Sequence, residues 1–150
     1  MASTIESRLK NSPDALARIV EARHHDPFAV LGKHEVGDCE IVRAFIPGAS
    51  DVVIVEGRLP MNRLDGTDFF EWSGAKGLIP NRYRLAWSEG GVKHERYDPF
   101  CFPPQLSDFD LHLFAEGRHW HAYRFLGAHQ HNADGVAGVL FSVWAPNSER

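Results

Sequence analysis

Cysteine is scarce in this chain, and long hydrophobic runs are missing. Only two of the 150 residues are cysteines. Cys39 and Cys101 lie far apart and match no metal-site spacing, so we expect ordinary reduced thiols. No run of about 18 apolar residues occurs, and the first residues, MASTIESRLK, lack the apolar stretch of a secretory signal. The sequence therefore predicts a cytoplasmic protein with no membrane-spanning segment.

Positive charge is also limited. The 16 Lys and Arg residues are outnumbered by 20 Asp and Glu residues, which gives a formal net charge of −4. The basic residues are scattered and form no cluster that could bind a phosphate backbone, so nucleic acid is not expected as a partner. The sequence contains no G-x-S-x-G elbow and no glycine-rich phosphate loop. No cofactor is predicted.

Histidine is plentiful, with nine residues that include pairs at 24–25, 119 and 121, and 129 and 131. A zinc site needs four ligands, usually Cys or His with an occasional carboxylate, at characteristic spacings. No Cys or carboxylate falls at such a spacing beside these pairs. The sequence therefore predicts no metal site.

The apolar period changes once along the chain. Ser12-Pro13 is typical of a helix start, and apolar residues then recur at helical spacing up to about Arg23. Past His25 the period is two, and turn residues separate short segments that predict strands at 39–46, 51–56, 68–73, 82–88 and 92–97. This pattern is typical of a mainly β fold: an immunoglobulin-like antiparallel β-sandwich preceded by a short N-terminal helical segment.

One phrase occurs twice. HHDPFAVLGKH at 24–34 aligns with HWHAYRFLGAH at 119–129, an offset of 95 residues, and VRAFIPGAS at 42–50 aligns with FSVWAPNSE at 141–149 at an offset of 99. An immunoglobulin-like sandwich is about 100 residues long, so the offset indicates two tandem copies of one module. The second copy then holds only its first strand, and we expect the chain to be a piece of a longer protein. The matched His34 and His129 are predicted to hydrogen-bond the loop that precedes each sandwich.

The motifs that carry a family resemblance are DPFAVLGKH, VRAFIPGASDV, NRYRL, YDPFCFPP, DLHLFAEGRH, FLGAH and GVAGVLFSVWAPNS. From His25 onward the sequence resembles the amino-terminal region of bacterial glycogen branching enzyme, and the ordered motifs EGRH, LGAH and VWAPN are the most specific part. Lys33 stands where the family often has proline, which affects loop stiffness.

The resemblance implies a parent enzyme of the α-amylase superfamily, which cuts an α-1,4-glucan and rejoins the piece through an α-1,6 bond. It implies an N-terminal sandwich, a second sandwich of carbohydrate-binding module family forty-eight, a (β/α)₈ barrel and a C-terminal β-domain. Retaining glycoside chemistry needs two carboxylates about 5–5.5 Å apart, held at the ends of barrel strands. The segments of this chain supply no barrel, so we expect no catalytic residue here and the parent's catalytic barrel as a partner.

Pattern and resemblance together predict three parts. Residues 1–24 are the N-terminal helical segment, and residues 25–105 are the first β-sandwich module. Residues 106–150 are a linker and the first strand, at 139–144, of a second, truncated carbohydrate-binding-module-like sandwich. The proline-rich PFCFPPQLS at 99–107 marks the boundary, because proline cannot continue a central strand.

An α-glucan is the expected ligand, with weak affinity or none. Glucans stack their apolar faces on exposed aromatic rings. Strand alternation predicts Tyr83 and Trp87 in the core and leaves Trp72 and Phe69 as candidate carbohydrate-binding residues, although Phe69 and Phe70 compete with Trp72 for the interior. In this interpretation the module positions glucan or tunes the length of the transferred chain.

Two other interpretations remain open. The same strands permit a stand-alone immunoglobulin-like protein-interaction domain, because a fold does not fix a function. The chain is also compatible with the N-terminal module of a sibling debranching or trehalose-releasing hydrolase. The doubled module argues against that sibling, since such enzymes usually carry one sandwich before the barrel.

Overall fold

The computed structural model describes residues 13–145, which form a short helix followed mainly by antiparallel strands. The chain divides into two compact units, residues 1–101 and 102–150. The sequence placed this boundary after residue 105. None of the helices within 13–145 is long and apolar enough to cross a membrane.

Helix α1 spans Pro13–Val20, as the helical spacing predicted, but it ends before Arg23. Proline is favoured in a first helical turn because its missing N–H is not needed there. Asp14 in that turn forms an ion pair of 2.8 Å with Arg18. Ala22 then has a φ of 55°, which takes the chain out of the helix. Ser12, which the sequence pattern places at the start of this helix, lies outside the described residues.

Two four-stranded antiparallel sheets form the first unit. The first sheet contains, in spatial order, β1 (Gly32–Val36), β2 (Cys39–Phe45), β6 (Phe69–Ala75) and β5 (Asn62–Arg63). The second contains β4 (Leu59–Pro60), β3 (Ala49–Ile54), β7 (Arg84–Glu89) and β8 (Val92–Tyr97). With the strands lettered in chain order, these are the ABED and GFCC′ sheets of an immunoglobulin-like sandwich. The mainly β sandwich behind a short N-terminal helix is confirmed.

The five predicted strands are all present, and their ends differ from the prediction by two residues or fewer. The prediction missed β1, β4 and β5. Strand β1 (GKHEV) has little apolar alternation, and the two-residue strands β4 and β5 are too short to show any.

The interior of the first unit follows from strand alternation. In β2, Val42 and Ala44 point inward, opposite Trp72 and Phe70 on the neighbouring strand. The opposite face of this sheet is covered as well: Phe69 packs there in a cluster with Ala15 of helix α1 and the loop residues Val30 and Leu31. The centre of the sheet is therefore buried on both sides, and its side chains there are fixed by packing.

Arg43 ties the loop before β1 to this sheet. Its side chain is fully buried, its Nε donates to Glu71 Oε2 at 3.0 Å, and its Nη1 donates to the carbonyl of Val30 at 3.3 Å. Strand alternation places it on the outer face, opposite Glu71 in the register. A buried guanidinium needs such partners, because an unpaired charge in the interior is strongly destabilising.

The second unit differs from the predicted linker and single strand. Helix α2 (Asp108–Ala115) is capped by the Ser107 hydroxyl, which accepts from the backbone N–H of Asp110 at 3.1 Å. Strands β9 (Gly127–Ala133) and β10 (Val136–Ser142) form a hairpin. Its turn residues Asp134 and Gly135 have φ values of 51° and 89°, as a type I′ turn requires. The prediction missed β9 because GAHQHNA is mostly polar, and it overlooked the capping serine before α2.

Candidate functional site

The two candidate carbohydrate-binding residues lie in the core of the first unit. Trp72 is 9% exposed and Phe69 is 1% exposed. The ring of Trp72 extends over Gly74, where an added Cβ would lie 2.4 Å from Trp72 Cζ2. Phe69 packs on Phe45 with ring centroids 4.7 Å apart. Strand alternation sends Trp72 inward and helix α1 covers the other face, so neither ring offers a free face to a sugar. Their placement differs from the surface position that the prediction required.

Tyr83 and Trp87 are buried, which confirms their predicted place in the core. The Tyr83 hydroxyl donates to the buried carboxylate of Asp98. Burial is the largest cause of the raised pKa of both groups, and the neighbouring Asp98 charge raises the pKa of Tyr83 further. Trp87 lies under the Arg96 guanidinium, 4.9 Å from the ring centroid, and stacks on His94.

The matched histidines make the same contact in both units. His34 Nε2 is 3.1 Å from the carbonyl oxygen of Leu31, and His129 Nε2 is 2.8 Å from that of Leu126. In each case the imidazole N–H donates to the carbonyl three residues earlier. The predicted role of these two residues is confirmed. Burial is the largest influence on the pKa of His34 and lowers it, which favours the neutral ring.

Other backbone features repeat at the same offset. The Nδ1 atoms of His24 and His119 each accept from the backbone N–H two residues later, both at 3.2 Å. Single turns of 3₁₀-helix follow at Pro27–Ala29 and Ala122–Arg124. Both segments therefore adopt one local structure.

The strands that follow also correspond. Gly32 and Gly127 open β1 and β9 with φ values of 88° and 98°. Gly32 pairs with Arg43 and Gly127 with Ser142, in agreement with the two sequence offsets. The β9–β10 hairpin has four more residues than the β1–β2 hairpin, two on each strand next to the turn. The pairing at the end away from the turn is therefore the same in both hairpins.

A cleft of about 580 Å³ opens in the second unit. It is lined by side chains from α2 and from the repeated segment: Phe109, Asp110, Leu113, Arg118, His119, Trp120, His121, Arg124 and Phe125. The His119 side chain is largely buried, and its ring meets Phe125 edge to face, with centroids 4.9 Å apart. This volume falls within the range of about 300–1,000 Å³ usual for small-molecule sites.

Asp110 is held by two donors at this cleft. His119 Nε2 donates to Oδ1 at 2.8 Å, and the Ser107 hydroxyl donates to Oδ2 at 2.5 Å. The bond from His119 is the main reason that the pKa of Asp110 lies below its usual value, and the bond from Ser107 adds to it. Asp110 is therefore ionised at neutral pH and can accept further hydrogen bonds.

Trp120 lines the same cleft and is 90% exposed. The sequence pattern predicts a loop before the second sandwich at 119–129 and does not single out this residue. A signal was available, because the repeat aligns Trp120 with His25 of the first copy, so that the second copy carries an aromatic ring where the first has an imidazole. Within residues 13–145, no group of three or more His, Cys, Asp or Glu side chains is placed to hold a metal ion.

Comparison with known proteins identifies the family. Residues 12–100 match the family described as alpha-1,4-glucan branching enzyme GlgB, N-terminal domain. The chain belongs to this family. The match covers nearly the whole first unit, so the sandwich described above is a branching-enzyme N-terminal domain.

Several curated relatives carry the name 1,4-alpha-glucan branching enzyme GlgB. The protein from Methylococcus capsulatus is 52% identical over 140 residues, which are 93% of this chain and 19% of that relative. Those from Cellvibrio japonicus and Nitrosococcus oceani are 48% and 47% identical, over 90% and 91% of this chain and 20% and 19% of their own lengths. The chain thus spans about a fifth of these relatives. A solved pullulanase from Paenibacillus barengoltzii is 25% identical over 43% of this chain and 11% of its own, with a TM-score of 0.35.

Proposed function

We propose that this chain is the non-catalytic N-terminal module of a 1,4-α-glucan branching enzyme. The observation that carries the proposal is the 52% identity to a GlgB relative over 93% of this chain, which accounts for only 19% of that relative's length. The catalytic residues of such an enzyme then lie in the remainder of the longer protein. The parent enzyme forms α-1,6 branches in glycogen by cutting an α-1,4-glucan and transferring the piece with retention of configuration.

The proposed role of the module is to position glucan for the catalytic barrel of the parent chain, and so to tune the length of the transferred piece. A rigid body suits this role, because a reaction gains rate and selectivity when its substrate is held in one geometry. Helix α1 packs on the first sheet, and the Arg43–Glu71 ion pair joins two of its strands.

The second unit is proposed to open a second sandwich of the carbohydrate-binding-module type. In the first unit, Val42 and Ala44 on the inner face are buried. Their counterparts in the second unit, Phe141 and Val143, are 73% and 82% exposed. A contiguous uncovered apolar face indicates a missing packing partner. The following strands of the parent chain supply that partner in this proposal.

A cytoplasmic location completes the proposal. Cys39 and Cys101 are both present as free thiols, which fits a reducing compartment.

The test removes residues 1–101 from the full-length branching enzyme that contains this chain. Branching activity on amylose and the thermal unfolding of the remaining domains serve as controls for an intact barrel. We expect activity to persist while the distribution of branch lengths in the product changes, because the first unit of the module no longer contributes to positioning the glucan. An unchanged distribution in an active, folded enzyme would contradict the proposed role.

A further inference from the structure

The cleft of the second unit combines apolar ring faces with hydrogen-bonding groups. Trp120 and Phe109 are both strongly exposed among its lining residues. Large aromatic side chains on a protein surface are informative, because burial would stabilise each by about 1.5–3 kcal/mol. A sugar uses such rings well, since one face of a pyranose offers C–H groups for stacking while its edge offers hydroxyls.

Polar groups line the same cleft as these rings. Asp110 keeps acceptor capacity beyond its bonds to His119 and Ser107, since a carboxylate offers about four lone-pair positions. Arg118 and Arg124 line the same cleft and supply donors. A ligand whose hydroxyl groups both donate and accept hydrogen bonds therefore finds partners of both kinds.

The charge around the cleft favours a neutral ligand. Arg118 forms an ion pair of 3.5 Å with Glu116, and His119 is bonded to Asp110. Arg118 and Arg124 line the cleft with Asp110, and Glu116 beside Arg118 brings the formal charge of these four groups to zero. An anionic ligand therefore gains no net attraction from these four groups, whereas an uncharged polyol needs none.

We propose that this cleft binds a stretch of neutral α-glucan, with Trp120 as the stacking platform, Phe109 as a second apolar contact and Asp110 as an acceptor for sugar hydroxyls. The choice of α-glucan rests on the proposed function, whereas the site and its preference for an uncharged polyol rest on the cleft. This assignment adds a glucan contact in the second unit to the positioning role proposed for the whole module, and it does not use Trp72 or Phe69, which are buried.

The test titrates the isotope-labelled 150-residue chain with maltoheptaose and follows the amide and indole N–H signals by NMR. We expect saturable shifts of the Trp120 indole and of amides in 109–113 and 118–125. Trp120→Ala should weaken binding about tenfold, the upper end of what one aromatic contact contributes. Because Trp120 is exposed, this variant should keep its fold, which the unchanged remaining amide signals would verify.

Phe141→Ala is the matched control, because Phe141 is a strongly exposed aromatic residue of β10 that does not line the cleft. It should leave the affinity unchanged. A flat response up to about 10 mM sugar, which is about ten times the concentration that half-saturates a site with a Kd of 1 mM, would overturn the proposal. So would shifts confined to other residues, or full binding by the Trp120→Ala variant. The branch-length experiment is independent of this one, so the proposed function can stand or fall separately.

Discussion

Gly74→Ala is predicted to destabilise the first unit because Trp72 occupies the space above Gly74. An added Cβ would lie 2.4 Å and 2.5 Å from Cζ2 and Cη2 of the Trp72 ring. These separations are far shorter than carbon atoms tolerate, so the ring or the strand must move. The ring is packed in the sandwich interior and has little room to turn.

The expected cost is about 2 kcal/mol, from the 1–3 kcal/mol usual when extra atoms are forced into a packed core. In a domain of this size each kcal/mol lowers the melting temperature by about 4–8 °C. Gly138→Ala is the matched control: it is the same exchange within a strand, and nothing lies within 4 Å of its added Cβ. It should be neutral or slightly stabilising.

Thermal unfolding followed by tryptophan fluorescence and circular dichroism measures both variants. A Gly74→Ala protein that is as stable as the parent, and whose Trp72 indole N–H signal in an NMR spectrum is unchanged, would contradict this prediction. It would mean that the ring does not lie over Gly74, and the surface position that the sequence predicted for Trp72 would become tenable again.

Two further predictions concern the sheet and the repeated loop. Arg43→Met should lower the free energy of unfolding by about 2 kcal/mol. This is less than the 3–5 kcal/mol expected when one partner of a fully buried pair is removed, because water reaches Glu71 and compensates part of the loss. A denaturation curve that matches that of the parent would contradict this prediction. The folded pKa of His34 lies below its ordinary value of 6.5, because burial favours the neutral ring. The contribution of the neutral His34 ring to stability is therefore complete above pH 6.5 and is lost as the pH falls through the folded pKa. His34→Gln should therefore flatten the decline of stability with acidification, and an unaltered slope between the two proteins would count against the role of burial.

The strands that the sequence predicted are those whose apolar residues alternate. Val42, Ala44, Leu85 and Trp87 all lie on inner faces, and the period of two shows them directly. Strand β1 stayed hidden because its position depends on pairing with β2 and on the Gly32 backbone, which approaches Phe100 too closely for a side chain. Such tertiary constraints leave little periodic signal in a single sequence.

The candidate site was harder to predict for a related reason. Phe69, Phe70 and Trp72 follow one another so closely that alternation alone would expose one of them. All three are buried: Phe70 and Trp72 lie in the sandwich interior, and helix α1 covers Phe69 on the outer face of the sheet. The packing of the helix on that face is a tertiary contact, which the sequence period does not show. Trp120 lies in a loop, where no period distinguishes an exposed ring from a buried one.

We expect the chain to hold one complete sandwich and the opening of a second copy with the same local structure. Backbone NOEs in the 150-residue chain test it most directly. The account predicts cross-strand contacts between Lys33 and Val42 and, in the matching register, between Ala128 and Phe141. A different register at the second pair, or no strand pairing there while the first pair is intact, would contradict it.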